Sequence, residues 1–178
     1  MSLDLAFANN QDWSGILAPY IKDLFKEFDL CYFGHVTYDA LGHCDWMMSN
    51  AEWAQIYWLG GLDQNEPIYQ DVQRLTSMNQ QCIALWDCYS TEDNKREDDI
   101  MQRRMDVCKM HKGVTIGKQI GPNKHYISVG WEQSESGLLK PAHILQLRQK
   151  IDPLWRLHTQ LIKESRGEPL SHQPQILK

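Results

Sequence analysis

Aromatic and acidic side chains crowd one stretch of the chain, Asn50 to Asp87, which reads NAEWAQIYWLGGLDQNEPIYQDVQRLTSMNQQCIALWD. Trp53, Tyr57, Trp58, Tyr69 and Trp86 are interleaved there with Glu52, Asp63, Glu66 and Asp71. Indole and phenol rings gathered around one inward-facing carboxylate make a partly apolar wall with a single polar reader, which is how a small-molecule pocket is lined. Trp53 and Tyr57 are four residues apart and share one face of a helix. Gly60-Gly61 ends that helix. Glu66-Pro67 opens the next segment, because the residue before a proline is kept out of the α region. Glu66 follows a polar loop, so its carboxylate turns inward only if an N–H, a water or a neighbouring hydroxyl such as Tyr57 or Tyr69 satisfies it. Aromatic residues at helical spacing also serve an ordinary core, so residue types alone leave packing and ligand binding both open.

Catalysis has little to stand on. The sequence holds no G-x-S-x-G elbow, HExxH helix, Walker loop or dinucleotide fingerprint. His35, His43, His111, His125, His143, His158 and His172 are scattered, and a pair such as Cys31 with His35 along one strand face is ordinarily inert packing. The five cysteines, 31, 44, 82, 88 and 108, are odd in number and form no CxxC, which fits free thiols in a reducing compartment. A zinc site drawn from His43-Cys44, Cys88, Cys108 and His111 lacks paired short spacings. The reading is a protein that is not an enzyme, with no metal and no cofactor.

The elements that must position the aromatic stretch follow from periodicity. Ile16, Leu17, Tyr20, Ile21, Leu24 and Phe28 recur at three and four, predicting a helix over 14–28 with Ser14 as its N-cap and Pro19 near its first turn. Residues 31–38 alternate as a strand, 39–42 turn, and 43–48 return. Ser49 or Asn50 then caps the aromatic helix. A helix over 67–80 carries Ile68, Val72, Leu75 and Met78 on one face. Residues 81–88 read as a buried strand, 89–99 as a charged loop or polar helix start, and 98–111 as a helix. The clearest hairpin is GVTIGKQIGPNKHYISVGWEQ, turning at Gly121-Pro122-Asn123. A last helix carries Leu147, Ile151, Leu154, Leu157 (or His158) and Leu161, with Pro153 expected to kink or split it. This order predicts an α/β protein, an α/β/α sandwich around a central five-stranded antiparallel sheet.

Trp53, Tyr57 four residues on, and the acid-Pro pair Glu66-Pro67 together resemble the autoinducer-binding domain of LuxR-type quorum-sensing regulators, in divergent form. The likeness extends over about residues 15 to 165, and Gly113 matches the glycine that opens a strand in that family. It implies a PAS- or GAF-like fold and a sensory, small-molecule-binding domain of a transcriptional regulator. In the family the helix Trp donates its indole N–H to a lactone carbonyl, the acid accepts the ligand amide N–H, and a Tyr four residues before the Trp holds the acyl carbonyl. Carried over, these positions are Trp53, Glu66 and Ser49. Trp86 is the second aromatic wall, Tyr57 packs, Tyr69 lies near the acid, and Trp58 fills volume. Glu66 replaces the family's Asp and Ser49 replaces its Tyr. The implied partner is therefore a small, partly apolar signal molecule, acyl-homoserine-lactone-like or of another class. The alternative is a free-standing PAS/GAF-like interaction domain without a small ligand.

Composition sets the remaining bounds. The chain has 178 residues and a net charge of −5. From Lys140 onward seven Lys/Arg face three Asp/Glu, leaving −9 on the rest, and an acidic body is a poor surface for DNA. Residues 1–165 are read as the sensor domain, and 166–178 as a linker or the start of a truncated helix-turn-helix, which Leu170-Ser171 faintly resembles. DNA would be reached only through a helix-turn-helix not contained in this chain. The family pairs through its terminal helices, so a homodimer is expected, with the Leu147, Ile151, Leu154, Leu161 stripe as its apolar face. No membrane span or secretory signal is read, which places the protein in the cytoplasm.

Overall fold

The computed structural model describes residues 3–8, 11–89, 95–132 and 141–167. Six strands form one sheet: β1 (Ala6–Phe7), β2 (Tyr32–Tyr38), β3 (Cys44–Met48), β4 (Gln81–Leu85), β5 (Lys112–Ile120) and β6 (Asn123–Trp131). Their order is β1-β3-β2-β6-β5-β4, and every pair is antiparallel. The expected five strands are thus six. The extra one is a two-residue edge strand, Ala6 opposite Met48 and Phe7 opposite Met47, too short to show any alternation in the sequence.

Alternation along each strand assigns the two faces. Phe33, Met47, Val114, Ile116, Ile127 and Val129 pack with α1 (Ser14–Phe28) and α5 (Pro141–Ser165). Tyr32, Val36, Met48 and Tyr126 pack on the other side with α2 (Ala51–Ala54), α3 (Pro67–Asn79) and α4 (Lys95–Cys108). Helices therefore cover both faces of the sheet. On the α2–α4 side the sheet presents Gly34, Gly113, Gly117 and Gly130, and side chains rest where a Cβ would stand: Tyr32 of the same strand at Gly34, Trp86 at Gly113, Thr76 and Val72 at Gly117, and Met110 at Gly130.

Several boundaries differ from the sequence reading. Ser14 is the first helical residue rather than the cap; its N–H donates to Asp12 Oδ1 at 3.0 Å. Asn50 caps α2, its Oδ1 accepting from the Trp53 N–H at 2.8 Å. The helix then loosens into a π-helical turn, Gln55–Leu59, before Gly60 and Gly61. Strand β4 stops at Leu85, and Trp86–Cys88 form a 3₁₀ turn instead of its end. Helix α4 begins at Lys95, three residues earlier than apolar spacing suggested, because Lys, Arg and Glu are good helix formers without marking a face. It ends at Cys108, where Lys109 adopts φ 58°, so Met110 and His111 are not helical. Residues 90–94 of the charged segment lie outside the described residues, as does the tail from 168, including the helix-turn-helix resemblance.

Pro153 does not split the last helix, which runs unbroken over 25 residues. Packing outweighs the missing backbone bond: Leu147, Ile151, Leu154 and Trp155 are all buried against the sheet. The stripe expected to supply a dimer face is covered by the chain itself in Leu147, Ile151 and Leu154, and so gives no argument for a partner.

Three buried histidines from distant parts of the chain meet on this side. His35 Nδ1 lies 2.8 Å from His158 Nδ1, and His35 Nε2 lies 3.3 Å from His125 Nδ1. His35 uses both its nitrogens on other histidines, while Cys31 packs in the opposite cluster, so the Cys31–His35 pair does not form. The three rings make a chain rather than converging on one point. Two hydrogen bonds in such a chain need one proton each, and the third proton of three neutral rings sits at one end. One added proton occupies the other end and breaks neither bond, but it places a charge in the core; a second forces two protons into one N···N gap.

Burial, reinforced by the neighbouring rings, holds His35 well below the ordinary histidine range. Burial, with Lys118 and Lys163 nearby, lowers His125 to about 4. Burial and His125 lower His158 to about 3. The unfolded chain therefore binds more protons than the folded one below the ordinary histidine value, so stability is complete above about pH 6.5 and falls as pH drops toward the folded values. Urea unfolding should show a loss of about 1 kcal/mol per histidine between pH 7.5 and pH 5.5. Equal midpoints at the two pH values would contradict a neutral buried chain.

Candidate functional site

The space between the sheet and α2–α4 is enclosed by Trp53, Tyr57, Glu66, Tyr69, Trp86 and Arg104, with Tyr126 and Ser128 on its floor. Each side chain has a local reason for its place. Asn50 fixes the first turn of α2, which turns Trp53 inward. The π-helical turn that follows leaves Tyr57 buried beside Trp53, their rings 5.6 Å apart. Wide turns of this kind are frequent at functional sites. Glu66 is the N-cap residue of α3 in extended conformation (φ −78°, ψ 116°), the geometry that Pro67 demands. Trp86 is carried inward by the 3₁₀ turn after β4; its indole N–H donates to Thr115 Oγ1 at 2.9 Å, and Thr115 is bonded in turn to Ser128. A Cβ at position 113 would stand 2.2 Å from the Trp86 ring, so Gly113 is required for close approach of the indole.

Glu66 is 4% exposed, and its charge is answered twice. The Tyr57 hydroxyl donates to Oε2, and the Arg104 guanidinium pairs with Oε1. Arg104 is itself 4% exposed and lies over both indoles, 4.5 Å from the Trp86 ring centre and 6.0 Å from that of Trp53. Burial lowers Arg104 to about 10, which leaves it protonated at neutral pH. Burial raises Tyr57 well above the usual phenol range, so it remains a donor. The trio is a closed, neutral hydrogen-bonded unit on a wall of aromatic rings.

Of the residues read from the sequence, Trp53, Tyr57, Glu66, Tyr69 and Trp86 come together around one space. Ser49 does not. Its Oγ accepts the backbone N–H of Phe33 at 2.8 Å, tying the end of β3 to β2, so it has no part in the cavity. Trp58 stacks on Trp46 at 5.8 Å, at the margin of the cluster. Arg104 was not anticipated. It stands four residues after buried Ile100 and four before buried Cys108, so a helical stripe passes through an arginine. That interruption, set beside an inward acid lacking a cation, is the signal that could have found it.

The remaining room is small. The cavity has about 30 Å³ for a water-sized sphere, enough for a water or two and not for an acyl chain. The Tyr126 hydroxyl on its floor and the Tyr69 hydroxyl on its wall are buried without a hydrogen-bonding partner of ordinary geometry. Two donors facing one space are groups that a bound molecule could satisfy.

Two stability measurements follow. Glu66→Gln leaves the Arg104 charge buried without its counter-charge and should cost about 3–5 kcal/mol in urea unfolding. Glu66→Gln combined with Arg104→Met should cost clearly less than the sum of the two single changes; an additive cycle would show that the two groups are not coupled. Gly113→Ala should cost about 1–3 kcal/mol by overpacking and shift Trp86 fluorescence. Wild-type stability for that variant would remove Gly113 from its assigned role.

No family model matches the sequence, and no curated protein matches it. Solved structures do. SdiA of Escherichia coli superposes with a TM-score of 0.58 at 9% identity, covering 94% of this chain and 67% of that one. SdiA in complex with octanoyl-rac-glycerol gives 0.56 at 10% identity, over 95% of this chain and 66% of that one. The LBD domain of VqsR from Pseudomonas aeruginosa gives 0.51 at 15% identity, over 79% and 89%. This chain therefore spans about two thirds of the length of the SdiA chains. At these identities the likeness is one of fold alone, a fold shared with SdiA and with the VqsR LBD domain.

Proposed function

We propose that this chain is the sensory, small-molecule-binding domain of a LuxR-type transcriptional regulator, and that its ligand is not an acyl-homoserine lactone of the ordinary kind. The observation that carries the reading is the enclosed space itself: Trp53, Tyr57, Glu66, Tyr69 and Trp86, read as ligand contacts from the sequence, surround one interior volume in this fold. A similar structure was solved holding octanoyl-rac-glycerol, a molecule with an acyl chain and a polar head. An aromatic wall, one ionised acid and two unpartnered hydroxyls suit a ligand that is partly apolar with a polar end. Glu66 is already saturated by Tyr57 and Arg104, and Ser49 faces elsewhere, so two of the three polar contacts expected for a lactone are missing. The reading includes a homodimer and contact with DNA only through a helix-turn-helix not contained in this chain. It includes no catalysis. Among the described residues no helix is long and apolar enough to cross a membrane.

One observation favours a second reading, an interaction domain without a small ligand: the space left among the side chains is no larger than a water or two. Native mass spectrometry of the protein recovered from cells separates the two. The sensor reading predicts a bound species of a few hundred daltons, on the scale of the roughly 300–1,000 Å³ that ligand sites enclose, released on denaturation. Trp53→Phe should weaken rebinding of that species by about 1 kcal/mol, the loss of one hydrogen bond. Recovery of bare protein, with extracts of the source cells failing to shift its melting temperature, would favour the interaction domain.

A further inference from the structure

Resting on the sensor reading, we propose that the site is a box for an organic cation, that Arg104 is its resident occupant, and that the ligand able to enter carries a guanidinium or ammonium group. The walls are placed without help from Arg104. Trp53 is set by the Asn50 cap, Trp86 by Thr115 and the bare strand at Gly113, and Glu66 by Pro67. Together they offer one carboxylate and two indole faces, the combination that attracts cations. Arg104 reaches this frame from α4 on a long unbranched side chain. Its guanidinium lies over both rings and against Glu66, as a bound alkylguanidinium would.

Charge decides what can take its place. The cavity has no room for a ligand beside Arg104, so entry requires that a side chain move. A neutral amide or lactone that pushed Arg104 aside would leave the Glu66 carboxylate buried without a counter-charge, which is strongly unfavourable. A ligand cation exchanges charge for charge, keeps the Tyr57 hydrogen bond to Glu66, and returns Arg104 to solvent, where its charge costs nothing. Val36, Met48 and Ile68 line the same space and suit an aliphatic portion behind the cation. The Tyr69 and Tyr126 hydroxyls, now without acceptors, can meet a polar atom further along.

The test compares n-hexylguanidinium with n-hexylurea, a neutral molecule of nearly the same shape. Binding to wild type, to Arg104→Ala and to Arg104→Ala/Glu66→Gln is read by tryptophan fluorescence and melting temperature. Arg104→Ala, its box vacated, is expected to bind the guanidinium at least tenfold tighter than the urea. Wild type should show the same preference at higher concentration, because Arg104 competes. The double variant should lose the preference. If Arg104→Ala does not fold, the wild-type comparison stands alone and is still decisive. Equal affinity for the two probes, a preference for the urea, no binding of the guanidinium to any folded form, or a preference that survives Glu66→Gln would each overturn the cation box. A neutral species carried through native mass spectrometry would overturn it while leaving the sensor reading intact; failure of the sensor reading is read separately, by bare protein in that same experiment.

Discussion

A carboxylate and a guanidinium, both shut away from water, set the terms for this side of the molecule. Glu66 keeps its charge in the interior only with a cation against it, and Arg104 supplies that cation. The pair ties the N-terminal residue before α3 to α4, across 38 residues of chain. Tyr57 adds a third tie, from the π-helical turn, and the indoles of Trp53 and Trp86 supply faces on which the guanidinium rests. A hydrophobic core of the same volume would hold these helices as well or better. What the ion pair adds is specificity of charge: the interior on this side is neutral only while a cation stands against Glu66.

The opposite side of the sheet follows a different rule. There three neutral imidazoles, hydrogen-bonded in a chain through His35, pack among Trp13, Trp155 and Phe7. That side is dense and carries α5, whereas the other side is given relief by glycines where Trp86, Met110 and the Thr76–Val72 pair approach the strands. One sheet thus separates a proton-sensitive packed layer from a layer built around a stored charge pair.

Much of this was legible in the sequence. The strands β2, β5 and β6 alternate cleanly, and alternate residues of β2 and β6 pack in the two opposite clusters. Trp53, Tyr57 and Glu66 are tied by helical spacing and an acid before proline, with Tyr69 a hydroxyl close to that acid in sequence; Trp86 joins them only through the family resemblance. Ser49 could not be placed that way; it came from positional likeness alone, and a backbone hydrogen bond claims it. Strand β1 has two residues and no pattern to show. Arg104 and the histidine chain escaped for a common reason. Their partners lie 38 residues away in one case and 90 and 123 in the other, and spacing rules describe only neighbours along one element. Pro153 illustrates the converse: a strong local rule gave way to the tertiary burial of Leu147, Ile151 and Leu154.

Nitrogen-15 NMR of the arginine side chains observes the central claim directly. If Arg104 is held in the cavity against Glu66 and Trp86, its Nε–H exchanges slowly with water, its guanidinium protons are resolved by hindered rotation, and its shifts show the ring currents of the indoles. A guanidinium averaged and exchanging as fast as those of the exposed arginines would contradict the account.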